Sequence, residues 1–232
     1  MPAVAERGAS PVRGATAVWA IVARDLRVEL RGRELLPALV QFIVLALVVA
    51  NFAFAIDGRE QVLQIVPGIL WMVLVFVGIV AFTRAFAGER DQGTLDAMLL
   101  TRASPAMILL GKTLAQAVLL AATVVVLLPA TALFLQLPLR PEIFLIVLLA
   151  IIGMAALGAL FSALATQTRA RELLLPVLAV PLWIPFVVVG SGLVDQALQR
   201  ASLDLAPVLL LCYMDILFLV IAAAVAKFVL DD

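Results

Sequence analysis

Three stretches of the 232-residue chain hold residues whose types and spacing could do chemistry. Ala106-Met107-Ile108-Leu109-Leu110-Gly111-Lys112-Thr113 has the outline of a phosphate-binding loop, with Ala where the first Gly would stand. Such loops work because a glycine-rich turn after a strand aims backbone amides at phosphate. Here Met, Ile, Leu and Leu fill the turn, so the stretch reads as helix entering an apolar run, with Lys112 snorkelling to a polar interface. Asp215 is the one ionisable residue deep in an apolar run. Acids in such places are costly and often functional, and an ion site and a buried structural hydrogen bond both stay open. The third stretch is Gly88 to Leu100. Gly93 can end one helix and Thr94 can cap the next. Leu95, Met98 and Leu99 then fall on one stripe, with Glu89, Asp91 and Asp96 around it. An apolar stripe on a short polar helix must be buried, either by the chain itself or by a cytoplasmic partner.

The remaining counts remove other chemistry. There is no His, so Ser-His and Cys-His triads and the commonest haem and zinc ligand are missing. Cys212 is the single cysteine, so neither a disulfide within the chain nor a cysteine metal site can form. No catalytic residue, metal site or bound cofactor is expected of this chain. Formal net charge is +0, which gives no basic field for nucleic acid.

What positions these residues is legible in the composition. Hydrophobic residues make up 65% and charged residues 14%, against about 45–50% and about 25% in a soluble domain. Mean hydropathy is +1.19. The expected class is all-α: a polytopic membrane protein with six spans at about 35–56, 64–86, 112–136, 143–166, 173–194 and 205–228, each long enough to cross the bilayer. Period-2 alternation is absent, which argues against a barrel. A small-residue site near Ala53-Phe54-Ala55 resembles signal cleavage, but the apolar run is too long and starts too late, so the first span is expected to stay as an anchor. Lys and Arg split 13 to 3 between alternate sides. The richer side is cytoplasmic and both termini lie there.

Before the spans, residues 1–18 read as a polar tail and 19–34 as an amphipathic helix on the cytoplasmic interface. Trp19, Val22, Ala23, Leu26 and Leu30 share one face, and Arg24, Arg27 and Arg31 another, the first toward lipid and the second toward anionic headgroups. Within the spans, Gly158-x-x-x-Ser162 reads as a helix-packing contact. Pro176, Pro181 and Pro185 are expected to break or bend the fifth span, with Pro181 and Pro185 as candidate functional positions.

Together these features resemble ABC-2-type membrane subunits. Arg24-Asp25-Leu26-Arg27-Val28-Glu29-Leu30-Arg31-Gly32-Arg33-Glu34-Leu35-Leu36-Pro37 is similar to the start of the heme exporter protein B family, the CcmB subunits of cytochrome c maturation complexes. So are Pro67-Gly68-Ile69-Leu70-Trp71, the run Glu89 to Asp96, Gly111-Lys112, and Pro181-Leu182-Trp183-Ile184-Pro185. The resemblance covers about Trp19 to the C-terminus, a single transmembrane domain over 19–232. It implies a non-catalytic permease subunit in the bacterial inner membrane, with Glu89–Leu100 as the coupling helix. The implied partners are a separate ATPase that binds ATP and magnesium, haem-handling membrane subunits, the lipid bilayer and a second copy of the chain. The implied complex handles haem and uses ATP to release a haem-loaded periplasmic chaperone. Two other functions fit the residues less closely. One is an ABC-2 permease for a lipid, drug or polysaccharide; the other is a secondary transporter with Asp215 as its ion site.

Overall fold

The computed structural model describes residues 11–32, 35–54, 58–83, 104–165, 171–200 and 202–230. Among them the chain forms seven helices and no strand: α1 Pro11–Gly32, α2 Leu35–Phe54, α3 Arg59–Thr83, α4 Pro105–Leu135, α5 Pro141–Ala165, α6 Arg171–Leu198 and α7 Leu205–Leu230. Helices α2 to α7 are each long and apolar enough to cross a membrane, and they overlie the six expected spans.

Helix α5 is the centre of the bundle and packs against α3, α4, α6 and α7. Its sequence explains the position. In lipid, apolar surface alone does not drive helices together, so close packing must, and small residues permit it. Phe82 of α3 lies over Gly158, where a Cβ would come within 2.6 Å of the ring. Phe186 of α6 lies over Gly153, where the corresponding distance is 2.4 Å. Ser162 Oγ donates to the Phe82 carbonyl at 2.7 Å, so Gly158 and Ser162 grip the same turn of α3, as the packing motif predicts. The reverse arrangement joins α3 to α6: Trp71 fills a notch at Gly190, where a Cβ would meet its ring at 2.2 Å.

Three helices differ in detail from the expected elements. Helix α1 begins at Pro11 rather than residue 19, so the end of the supposed tail is helical; proline is favoured in a first turn, and Gly14 rests against Met107 of α4. Helix α4 begins at Pro105, so the helix read over residues 106–113 is continuous with the third span expected at 112–136. Ser104 caps it, its hydroxyl accepting from the Met107 amide at 3.3 Å. At 31 residues α4 is about 46 Å long, so its first turns extend past the hydrocarbon. Helix α6 runs unbroken through Pro176, Pro181 and Pro185. Its inward stripe is Ala179, Trp183, Phe186 and Gly190, which leaves Pro181 and Pro185 exposed on the opposite face. The carbonyls that those prolines leave unpaired lie on the same outer side.

Candidate coupling face and intramembrane site

The sequence-predicted coupling residues Glu89, Asp91, Gly93, Thr94, Leu95, Asp96, Met98 and Leu99 lie outside the described residues. Their flanks are α3, ending at Thr83, and α4, starting at Pro105 behind its cap Ser104. By the charge split, this is the cytoplasmic end of the bundle.

Helix α1 packs there against α4. It has three faces rather than two. Ile21 and Val22 are buried, and Asp25 turns the same way. Trp19, 70% exposed, and Leu30 point away from the bundle. Arg27 and Arg31 are exposed while Arg24 is half-buried. The expected apolar face is therefore only partly the packing face: Val22 sits at its margin, and Ile21 belongs to the buried side.

Lys112 does not snorkel. It is 2% exposed, and its Nζ lies 3.0 Å from Asp25 Oδ2, with Asp25 14% exposed. The phosphate-loop outline around it is continuous helix within α4, so its backbone amides are committed to helical bonds. Gly111 lets α1 approach: a Cβ there would lie 2.8 Å from Ile21 Cγ2. Around this contact Ile21, Ile108, Leu109, Ala159, Leu160, Ala163, Ala222, Ala226 and Val229 form an apolar cluster separate from the main core. It joins α1, the start of α4 and the ends of α5 and α7.

Asp215 is 4% exposed on α7. Its Oδ1 accepts from the Gly153 amide at 2.9 Å. The same carboxylate and Phe186 together close the Gly153 notch. Oδ2 has no hydrogen-bond partner. The residue thus ties α7 to α5 through one oxygen, which is the structural role weighed from sequence.

Two features escaped the sequence. Lys112's partner was one: Asp25 and Glu29 both stand away from Arg24, Arg27 and Arg31 on the α1 wheel, and spacing alone does not choose between them. The other is a cavity of about 680 Å³ between the start of α3 and the end of α6. Glu60, Gln64 and Gly68 line one side, and Ser191, Asp195 and Gln199 the other. Both sets follow helical spacing, a polar stripe that was present and unused. The charge split places this cavity at the periplasmic end.

With this geometry in place, comparison with known proteins is informative. The model of the family described as CcmB protein matches residues 16–230. A heme exporter protein B of Pseudomonas aeruginosa is 32% identical over 183 residues, 77% of this chain and 81% of the relative. One from Haemophilus influenzae is 30% identical, covering 76% of this chain and 80% of the relative. One from Rhodobacter capsulatus is 27% identical, covering 80% and 85%.

Proposed function

The chain belongs to the CcmB family, and on that premise we propose that this multi-pass inner-membrane protein is the permease subunit of a haem-handling ABC complex that serves cytochrome c maturation. The observation that carries the proposal is the extent of the match: residues 16–230 take in α1 and all six spans, the full bundle of the structure. ATP hydrolysis then falls to a separate subunit, and this chain transmits motion rather than performing a reaction. Residues 89–100 are the contact with that ATPase, through the stripe Leu95, Met98 and Leu99. Companion membrane subunits carry haem, and the cycle releases a haem-loaded chaperone on the periplasmic side. The chain has no histidine, which agrees with a subunit that transmits force better than with one that ligates iron. Asp215 is bonded to the backbone of Gly153, which weakens the case for a secondary transporter using it as an ion site.

The test is Leu95→Asp in the intact complex. Fully burying a leucine contributes about 1.5–3 kcal/mol, whereas a rim ion pair contributes about 0–1 kcal/mol. A charge set in a desolvated contact reverses the first contribution. Leu95→Asp protein should reach the membrane at normal level yet lose the co-purifying ATPase, and cytochrome c maturation should fail. Asp96→Asn should do far less. Normal co-purification with Leu95→Asp would remove residues 89–100 from the interface.

A further inference from the structure

The ion pair between Lys112 and Asp25 is a poor device for simple stability. Two buried charges lose hydration that their attraction barely restores, and an apolar pair of similar size would hold two helices at least as well. Buried pairs of this kind are best suited to fixing one register between elements. This pair joins α1, the interfacial helix, to α4, the first helix after residues 84–103. Lys112 lies two turns into α4, on the same stretch as Ile108 and Leu109, which pack in the cytoplasmic cluster. Gly111 beside it leaves room for Ile21, which a Cβ there would meet at 2.8 Å, so sliding α1 along α4 would drive Ile21 out of that notch and break the ion pair.

We propose that Asp25, Gly111 and Lys112 form a clamp that makes α1 and the cytoplasmic start of α4 move as one body, so that a displacement applied through residues 84–103 is delivered to the interfacial helix together with the third span. These are positioning residues: Gly111 sets the approach and Lys112 with Asp25 sets the register. The ends of α5 and α7 share the cluster, which extends the body to the cytoplasmic ends of three of the six spans. The functional half of this proposal rests on the ATPase-coupled reading above; the geometric half does not.

The experiment has one arm for each half. In a Cys212→Ser background, Gly14→Cys and Met107→Cys report docking at a second contact between α1 and α4, outside the clamp. A Cβ at residue 14 would lie 3.0 Å from the end of the Met107 side chain, so the two thiols are within reach of a short bifunctional cross-linker. Cross-linking in native membranes should be rapid. Adding Asp25→Asn, or Lys112→Met, should slow it by roughly tenfold or more, because either change removes the ion pair that joins α1 to α4. Exchanging the charges, Asp25→Lys with Lys112→Asp, should restore most of the rate. In the assembled complex without the reporter cysteines, Asp25→Asn should leave the ATPase bound but raise the ATP consumed per cytochrome matured severalfold, and the exchange should bring it back. Unchanged cross-linking in both single variants would overturn the clamp. So would an exchange that fails to restore cross-linking at normal membrane abundance. Unchanged ATP consumption with slowed cross-linking would overturn the coupling role. Absence of any co-purifying ATPase from the wild-type protein would instead refute the proposed function and leave the cross-linking result standing.

Discussion

Gly158 is where the bundle should be least tolerant of a single methyl. A Cβ at that position would come within 2.6 Å of three carbons of the Phe82 ring, whereas carbon atoms attract best at about 3.5–4.0 Å. The ring cannot give way easily. Phe82 is fully buried, and Trp183 packs on it with centroids 5.7 Å apart. The backbone of the same residue is held by Ser162 one turn on. Gly158→Ala must therefore part α3 from α5 by about 1 Å, and a gap of that size already forfeits a quarter to a half of each neighbouring contact. Overpacking of this kind costs about 1–3 kcal/mol, and the trapped ring places the expected loss toward the upper end. The assay is unfolding in mixed detergent–SDS micelles followed by tryptophan fluorescence, which Trp71 and Trp183 report from buried sites. The discriminating measurement is a cycle with Phe82→Leu. The smaller side chain should cost stability alone yet relieve Gly158→Ala, giving a coupling of about 1 kcal/mol or more. If the two changes add to within about 0.5 kcal/mol, the notch is not what holds these helices and the packing argument fails.

Three other expectations follow from the same geometry. With Cys212 replaced, cysteines at Leu139 and Arg200 should react with an impermeant thiol reagent added outside, and one at Arg31 should not; the reverse pattern would overturn the orientation. Asp215→Asn keeps an acceptor oxygen for the Gly153 amide, so maturation should stay near wild type, while Asp215→Leu removes the link between α7 and α5 at a cost of about 0.5–1.5 kcal/mol; full loss of function in a stable Asp215→Asn protein would revive the ion-site role. Pro181 faces outward on an unbroken helix, so Pro181→Ala should leave assembly intact and change only the activity coupled to ATP, and wild-type activity would make the proline a packing solution.

Much of this architecture was legible because bilayer thickness and charge bias act on long stretches. Six apolar runs and the 13-to-3 split of Lys and Arg needed no knowledge of contacts. The Gly158-x-x-x-Ser162 motif was legible for a related reason, since small residues one turn apart mark close approach. Features that failed to show were those fixed by a partner helix distant in sequence. Lys112 was read as snorkelling because its stretch enters the membrane from the cytoplasmic side, a rule that holds when nothing covers the cation. Asp25, 87 positions earlier, covers it. The prolines of α6 were expected to break or bend the span, and the helix runs through them unbroken; its inward face is set by Trp183 and Phe186 filling glycine notches at Gly78 and Gly153, which no spacing of prolines reveals.

The cytoplasmic end carries this lesson into function. An interfacial helix held only by its apolar face could rotate or lift as the membrane around it changed. Here the apolar face with Trp19 and Leu30 is turned outward, and the helix is held by another side, through Ile21, Val22 and Asp25. That division separates two tasks that a two-faced amphipathic helix would combine. One surface is left free of the bundle while another stays against α4. On the proposed coupling role, a helix built this way faces the lipid interface and follows the third span, as the passing of motion between a cytoplasmic partner and the membrane requires.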